Sequence, residues 1–301
     1  MTSRPALAAP AADWDSLAHA SGLPRLEARV LLEHASGRSR EWLIAHGDEA
    51  AEAQAAQVFA NLARRRLAGE PIAYLTGRRE FAGRQFEVST DVLIPRPETE
   101  LLLQLALERA PRQARVLELG TGSGVLAVSL ACERPDLQVL ATDRSAAALA
   151  VARRNAGRLA GAALAGARLR LRRGSWWQAV DSRERFELVL SNPPYVAEGD
   201  AHLARGDLRF EPREALAAGP DGLEAVRAIV AAAPRHLAAG GWLLLEHGHD
   251  QQQALQALLA AGGWRDIATL PDAAGLPRVT TARAGGARGG EPGLTSARRP
   301  S

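Results

Sequence analysis

The most informative segment of this 301-residue chain is Arg115-Val116-Leu117-Glu118-Leu119-Gly120-Thr121-Gly122-Ser123-Gly124. Its first half predicts a short strand, and the apolar run 125–133 after the glycines predicts a helix. Glycines let the backbone turn sharply and approach a ligand without a clashing Cβ. The spacing Gly-x-Gly-x-Gly differs from the dehydrogenase fingerprint, and no Gly-Lys-Ser/Thr follows it, which disfavours a phosphate-binding P-loop. The segment alone therefore predicts only a ligand-binding loop between a strand and a helix.

Strands and helices alternate on both sides of this segment. Further strands are predicted at 138–142, 169–171, 187–190 and 241–246, and near Ile267 and Val279; helices are predicted at 98–110, 146–159, 223–237 and 251–261. Such alternation implies a parallel sheet covered by helices on both faces, an α/β fold. Right-handed crossovers place the ligand at the carboxyl ends of the strands, near a topological switch point.

The first part of the chain is predicted to be a small helical bundle. Helices at 24–36 and 49–67 flank a short helix around Trp42 and Leu43. The predicted core faces are Leu26, Val30, Leu31 and Ala35, and Ala55, Val58, Phe59, Leu62 and Ala63. Strand alternation around Gly83 predicts a hairpin between the bundle and the sheet. The predicted division is 1–78 for the helical domain, 79–97 for the hairpin linker, 98–283 for the sheet domain and 284–301 for a disordered tail.

The composition narrows the possible functions. All 37 basic residues are arginine, so a catalytic or Schiff-base lysine is excluded. Four arginines and one acidic residue lie from Arg283 onward, which leaves 33 residues of each sign in the body of the chain. A body without net charge disfavours a nucleic-acid enzyme, which usually carries a basic face. Cys132 is the only cysteine, which excludes an intrachain disulfide and a thiolate-rich zinc site. We expect no metal.

Membrane and targeting signals are not found in the sequence. No stretch approaches the ~18 apolar residues that span a bilayer, and the N-terminus lacks the basic region and apolar run of a secretory signal. The sequence therefore predicts a cytoplasmic protein without a membrane partner.

An acidic residue, Asp143, ends the strand that follows the glycine segment. A carboxylate at this place can accept hydrogen bonds from both hydroxyls of a ribose, as in dinucleotide-binding proteins. The alternative is a solvated aspartate that caps the helix starting near Ser145. The preceding glycine segment favours ribose binding.

The most specific chemical signature is Ser191-Asn192-Pro193-Pro194-Tyr195, directly after a predicted strand. The prolines fix φ and remove backbone donors, which makes a rigid set of acceptors. The Asn192 side-chain oxygen and the Pro193 carbonyl can each accept one hydrogen of a bound NH2 group. Two such acceptors localise a lone pair that is otherwise delocalised, so catalysis would come from orientation and electrostatics. Because Tyr195 can stack on a flat group, the signature predicts a site for a planar amide or aromatic amino nitrogen.

Together, these features resemble class I S-adenosylmethionine-dependent methyltransferases, which have a Rossmann-like doubly wound sheet. The resemblance implies S-adenosylmethionine as cofactor, with its methionine moiety along the glycine segment, its ribose on Asp143 and its adenine on Trp176. Trp177 is the alternative for adenine, and Ser175 stands where many relatives have an aspartate. The implied cofactor-binding residues are Gly120, Thr121, Gly122, Ser123, Gly124, Asp143, Trp176 and Asn192. The implied catalytic residues are Asn192, Pro193 and Tyr195, and the substrate lies on Asn192, Pro193, Pro194 and Tyr195.

Flanking segments point to one family within that class. Those at 71–77, 93–100, 209–212, 219–223 and 245–248 resemble the release-factor glutamine methyltransferases, and the match runs from about Leu23 to Arg283. The resemblance implies methylation of the glutamine in the Gly-Gly-Gln loop of peptide chain release factors, with the helical domain contacting the release factor. A close relative modifies a ribosomal protein and differs at the 97–100 turn. The segment 249–251 departs from the family's aromatic-Gln-Gln pattern.

Several alternatives stay open. An adenine-N6 DNA methyltransferase predicts a basic cleft and a DNA-recognition domain, which the composition does not support. A non-catalytic binding module predicts an eroded glycine segment or an eroded Asn-Pro-Pro-Tyr, and both are intact. Arg96 and Glu98 either contact the site or form a salt-bridged turn. Glu246 and His247 are either pocket residues, with His247 as a possible base, or structural groups.

Overall fold

The computed structural model describes residues 12–285. Apart from its first two residues, the predicted tail 284–301 lies outside the described residues. Within that range no helix is both long enough and apolar enough to cross a membrane.

The helical bundle near the N-terminus is confirmed. It consists of α1 (Trp14–Ala20), α2 (Arg25–Ser36), α3 (Arg40–Ala45), α4 (Ala53–Leu67) and α5 (Ile72–Thr76). Trp14 is buried in its core with Leu31 of α2 and Phe59 of α4. Because its core cluster shares no residue with the clusters around the sheet, the bundle is a separate hydrophobic unit.

Two of the predicted core positions in the bundle are wrong. Leu26 is 66% exposed and Val58 is 40% exposed. Next to Leu26, Glu27 of α2 forms an ion pair with Arg66 of α4, with Nε 2.7 Å from Oε2. The buried face of α2 is formed instead by Ala28, Leu31 and Leu32.

The predicted hairpin is confirmed and joins the bundle to the sheet domain. It pairs β1 (Arg78–Phe81) with β2 (Arg84–Glu87) in antiparallel register. Phe81 and Phe86 pack edge to face inside the core. The fully buried Asn155 donates hydrogen bonds to the carbonyls of Glu87 and Ser123, both at 2.9 Å. The hairpin is therefore tied through one amide to the glycine segment.

The sheet domain holds seven strands in the order β5-β4-β3-β6-β7-β9-β8. The strands are β3 (Arg115–Leu119), β4 (Gln138–Asp143), β5 (Leu169–Arg173), β6 (Phe186–Ser191), β7 (Leu237–Glu246), β8 (Arg265–Pro271) and β9 (Pro277–Arg283). One face is covered by α6 (Thr99–Arg109), α7 (Val125–Glu133), α8 (Ala146–Leu159) and α9 (Gly161–Ala165), and the other by α10 (Glu224–Ala232) and α11 (Gln252–Ala261). The prediction that helices cover both faces is confirmed.

The prediction of a fully parallel sheet is wrong at one strand. Strand β9 runs antiparallel to both β7 and β8 and lies between them. A short turn joins β8 to β9, in which the Asp272 N–H donates to the Leu276 carbonyl at 2.9 Å. Parallel neighbours need a long crossover connection. The short turn therefore returns the chain as a hairpin.

The strand order reverses between β3 and β6. From β3 the chain moves outward to β4 and β5, and then returns to β6 on the other side of β3. The Ser191 hydroxyl donates to the Leu119 carbonyl at 2.6 Å and ties the two strand ends together. Ligands bind at such switch points in open α/β sheets, and both signature segments of the sequence begin here.

Candidate active site

A cavity of about 790 Å³ opens at the carboxyl ends of β3, β4 and β6, and is called the central cavity below. Of the residues predicted to bind cofactor or substrate, those lining it are Gly120, Thr121, Gly122, Ser123, Asp143, Trp176, Asn192 and Pro194. Gly124, Pro193 and Tyr195 do not line it. The fold thus brings two segments far apart in sequence to one cavity.

The glycines of the loop have different physical roles. Gly120 and Gly122 have φ of +74° and +54° and lie at the cavity wall. Gly124 has φ of +85°, and a Cβ there would lie 3.1 Å from the Cβ of Ala152 on α8. Gly124 therefore permits α7 and α8 to pack closely. Its role is in helix packing and not in the wall of the cavity.

Two carboxyl groups give the inner end of the cavity an acidic character. Glu118 is buried and accepts hydrogen bonds from the Thr121 hydroxyl, at 2.6 Å, and the Ala127 N–H, at 3.0 Å. Burial raises the pKa of Glu118 to about 8, and burial also raises the pKa of Asp143. Such a pair suits a cationic ligand, because positive charge would stabilise both ionised carboxylates. Glu118 is not among the site residues that the sequence predicts, although an acidic residue at the end of an apolar strand and before a glycine loop is a usable signal.

Asp143 holds the turn that follows β4. Its two carboxylate oxygens accept hydrogen bonds from the Gly122 N–H and the Ser145 N–H, both at 2.9 Å. The helix α8 is capped by the Ser145 hydroxyl, which accepts from the Ala148 N–H. Ser145, and not Asp143, is therefore the N-cap of α8, and Asp143 is one of the residues that line the central cavity.

The two neighbouring tryptophans point to different places. Trp176 adopts a φ of +46°, a left-handed conformation that costs a bulky residue about 1–2 kcal/mol, and its indole lies against Gly120 at the cavity wall. Trp177 donates through Nε1 to the Ile229 carbonyl at 3.2 Å and stacks on His236. Trp176 thus faces the cavity and Trp177 packs against α10.

The Asn-Pro-Pro-Tyr segment is held from both sides. The Asn192 Nδ2 donates to the Thr99 hydroxyl oxygen at 3.1 Å. The Tyr195 carbonyl accepts from Gln251 Nε2 at 2.9 Å, and a Cβ on Gly222 would lie only 2.2 Å from that carbonyl oxygen. Thr99 lies at the start of α6 and lines the central cavity. It is not among the site residues that the sequence predicts.

Comparison with known proteins assigns the chain to a family. A family model described as the PrmC N-terminal domain matches residues 15–77, and one described as the methyltransferase small domain matches residues 97–209. A release factor glutamine methyltransferase from Bordetella pertussis is 52% identical over 86% of this chain and 94% of its own length. Its counterpart from Escherichia coli is 42% identical over 88% of this chain and 94% of its own length. The chain belongs to the release factor glutamine methyltransferase family.

Solved structures confirm the fold of this family member. A methyltransferase from Pyrococcus furiosus gives a TM-score of 0.50 at 21% identity, covering 75% of this chain and 99% of its own. The hMettl16 catalytic domain gives a TM-score of 0.55 at 14% identity, covering 75% and 80%. At these identities the likeness shows fold alone, and it bears out the predicted class I methyltransferase fold, with a Rossmann-like doubly wound sheet.

The turn before α6 is a salt-bridged wall of the cavity in this release factor glutamine methyltransferase family member. Arg96 pairs with Glu211, whose side chain is fully buried and also accepts from the Ile94 N–H at 3.0 Å. Arg96 lines the central cavity as well, so the two readings of this residue are compatible. Glu98 is exposed at the start of α6.

His247 is structural. Its Nδ1 lies 2.8 Å from the Gly248 carbonyl oxygen, which only an N–H can satisfy, so Nε2 accepts from the Thr280 hydroxyl, also at 2.8 Å. Burial lowers the pKa of His247, and the residue does not line the central cavity. With both ring nitrogens occupied, the possible role as catalytic base has no geometric support.

The helical bundle contacts the segment that follows the Asn-Pro-Pro-Tyr motif. Arg66 of α4 pairs with Asp207 at 3.2 Å, and Arg209 donates to the carbonyl of Ala68. The Tyr74 hydroxyl donates to the Val92 carbonyl at 2.6 Å.

Within residues 12–285 no group of three or more His, Cys, Asp or Glu could hold a metal ion.

Proposed function

We propose that this protein transfers a methyl group from S-adenosylmethionine to the side-chain amide nitrogen of the glutamine in the Gly-Gly-Gln motif of peptide chain release factors. The observation that carries the proposal is Asn192 at the wall of an acidic cavity at the switch point of the sheet. Relatives of 42% to 53% identity named release factor glutamine methyltransferases support the substrate. We place the reaction in the cytoplasm, where release factors act.

The cavity residues fit S-adenosylmethionine. Asp143 would accept hydrogen bonds from the ribose hydroxyls, and Trp176 would contact adenine. The segment Gly120–Gly124 would run beside the methionine moiety, where the positive charges of the cofactor would stabilise the ionised form of the buried Glu118. When bound, the cofactor supplies an electrophilic methyl group.

The chain's own residues would activate the amide. The Asn192 Oδ1 and the Pro193 carbonyl would accept the two amide hydrogens and favour a tetrahedral nitrogen. Held in this way, the lone pair of the nitrogen would be directed at the methyl group that the bound cofactor supplies, and the excess proton would leave to solvent. Tyr195 would fix the plane of the amide. Orientation and preorganised acceptors supply most of the rate enhancement.

The cavity argues against the DNA rival. Its charged lining consists of six acidic residues, Asp91, Glu118, Asp143, Glu198, Glu214 and Glu224, and three arginines, Arg96, Arg144 and Arg213. A duplex substrate brings phosphates close to the flipped base, and an acidic lining repels them.

We further propose that residues 1–78 form the domain that recognises the release factor, followed by a linker at 79–97 and the methyltransferase domain at 98–283. The family models match residues 15–77 and 97–209, on either side of the proposed linker. The contacts of α4 with Asp207 and Arg209 would hold a bound release factor in register with the catalytic motif.

The deciding experiment uses radiolabelled S-adenosylmethionine with four acceptors: a purified release factor, the same factor with the Gly-Gly-Gln glutamine changed to alanine, a ribosomal-protein mixture and adenine-containing duplex DNA. We expect label only in the unaltered release factor. Label in DNA, or equal label in the glutamine-lacking factor, would contradict the proposal. Label confined to ribosomal protein would support the other glutamine-methylating branch.

A pair of variants tests which tryptophan contacts adenine. Trp176→Ala should raise the Kd for S-adenosylmethionine about tenfold, because one aromatic contact is worth about 0.5–1.5 kcal/mol, and should leave the urea midpoint nearly unchanged. Trp177→Ala should lower the free energy of unfolding by about 3 kcal/mol through the cavity it leaves against α10. Calorimetric titration and urea unfolding measure the two effects. The reverse pattern would assign adenine to Trp177.

A further inference from the structure

Glu246, the last residue of β7, is a buried carboxyl group that makes no hydrogen bond within residues 12–285. It is 0% exposed, and neither carboxylate oxygen has a hydrogen-bond partner among the described residues. Buried polar groups are almost always paired, because leaving one unpaired costs several kcal/mol for a charged group. Burial raises the pKa of Glu246 to about 7. A group that weakens the fold in its ionised form calls for a functional explanation.

The position of Glu246 connects it to the catalytic motif. Strand β7 pairs with β6, and Leu245 lies opposite Ser191, so Glu246 and Asn192 each come one residue after the last paired position. Thr99, at the start of α6, is close enough to the carboxyl to lower its pKa, against the larger effect of burial. The other ionisable groups that influence this carboxyl are Arg278 of β9, Arg96 and Glu98 before α6, and Tyr195 of the motif.

The Thr99 hydroxyl can join Glu246 to Asn192. Its oxygen already accepts the Asn192 Nδ2 hydrogen at 3.1 Å, and Thr99 is buried at 3% exposure. A hydroxyl has one hydrogen to donate, and the carboxylate of Glu246 is the open acceptor that faces it. A hydroxyl that donates to a carboxylate presents only its lone pairs to Asn192, which selects the NH2 end of the amide.

We propose that Glu246 is a positioning residue for methyl transfer: through Thr99 it holds Asn192 with Nδ2 turned away from the substrate and Oδ1 free to accept the substrate amide hydrogen. The inference rests on the proposed function, since it concerns the same acceptor. Without the carboxylate, the Thr99 hydroxyl can donate to Asn192 Oδ1, and the flipped amide presents a donor to the NH2 group of the substrate.

The protonation state of Glu246 would then control turnover. A protonated carboxyl can donate to Thr99, which leaves the Thr99 hydrogen free for Asn192 Oδ1. Activity should therefore rise with pH through about 7, the pKa of Glu246. Stability should change in the opposite direction. Because the folded-state pKa lies above the unfolded value, stability is highest at low pH and falls as pH rises toward and through about 7.

The variant Glu246→Gln separates positioning from a structural role. A neutral amide is a weaker acceptor than a carboxylate, so kcat at pH 8.5 should fall about tenfold, equivalent to about 1.4 kcal/mol, with the Kd for S-adenosylmethionine unchanged. The pH dependence of kcat near 7 should disappear. The melting temperature should be higher than that of the wild type at pH 8.5, with the gap narrowing toward pH 5.5. Glu108→Gln, an exposed change on α6, is the matched control.

Variants of Thr99 complete the test. Thr99→Val should lower kcat to a similar extent, Thr99→Ser should restore most of it, and the double variant Thr99→Val, Glu246→Gln should be no slower than either single variant. Wild-type turnover with an unchanged pH profile in Glu246→Gln would overturn the role of Glu246. Fully additive losses in the double variant would do the same, and both outcomes would leave the proposed function standing. A wild-type enzyme that labels no release factor would overturn the proposed function and this role together.

Discussion

Replacing Asn192 with alanine should lower the rate of methyl transfer about a thousandfold, in line with the loss of one preorganised hydrogen-bonding group at a reacting centre. The amide nitrogen of the substrate would keep only the Pro193 carbonyl as acceptor, so its lone pair would stay delocalised. The Kd for S-adenosylmethionine should change less than threefold, because Asp143, Trp176 and the glycine segment remain. Single-turnover rates and calorimetric titration measure the two quantities.

The matched control for this variant is Gln104→Ala, which removes an exposed amide on α6 whose one hydrogen-bond partner within residues 12–285 is Glu108. It should keep full activity. An Asn192→Ala enzyme with a rate near that of the wild type would refute the acceptor role, whatever its stability. A large loss of cofactor affinity without a loss of saturated rate would assign Asn192 to cofactor binding alone.

Replacing Asp143 with alanine should weaken the binding of S-adenosylmethionine. The Kd for S-adenosylmethionine should rise by at least about a hundredfold, because two hydrogen bonds to a charged acceptor are lost, each worth about 1.5–3 kcal/mol. The variant also frees the N–H groups of Gly122 and Ser145, which loosens the loop. At saturating cofactor the rate should return to within a few-fold of the wild type.

Asp136→Ala is the control for Asp143. This aspartate precedes β4 at the opposite end of the strand and pairs with Arg134 at 2.8 Å. Equilibrium dialysis with labelled cofactor should show that the Asp136→Ala variant has the same affinity for the cofactor as the wild type. An Asp143→Ala protein that binds cofactor as the wild type does would show that the carboxylate serves only the turn.

Local sequence patterns were sufficient for most elements of the sheet domain. Strand β3 and helices α7 and α8 have the bounds that the sequence predicts, since each has a glycine, proline or capping residue at its limits and a strong apolar period. The helix predicted at 223–237 ends early, at Ala232, where a 3₁₀ turn containing Pro234 follows. The reversed β9 could not be read from alternation, because its direction depends on the length of one turn.

The candidate site divides in the same way. The cofactor side follows from contiguous signals, since the glycine segment and Asp143 come directly after adjacent parallel strands. The residues that hold Asn192 cannot be found from contiguous signals, because Thr99 precedes it by 93 positions and Glu246 belongs to another strand. The fold brings Thr99 and Glu246 close to Asn192. No spacing in the sequence predicts which buried carboxyl group will be left without a hydrogen bond. Leu26 is a further position that helical spacing assigns to the core and that the structure exposes.

The insertion of β9 between β7 and β8 has a mechanical consequence. It places β7 in the interior of the sheet, with backbone hydrogen bonds to β6 on one side and β9 on the other. The amides around Glu246 can therefore exchange with solvent only when the sheet itself opens, whereas β8 takes the frayed, exchange-prone position of an edge. The strand that ends in Glu246 is thus an interior strand, and two strands, β7 and β9, separate the edge strand β8 from β6, which Asn192 follows.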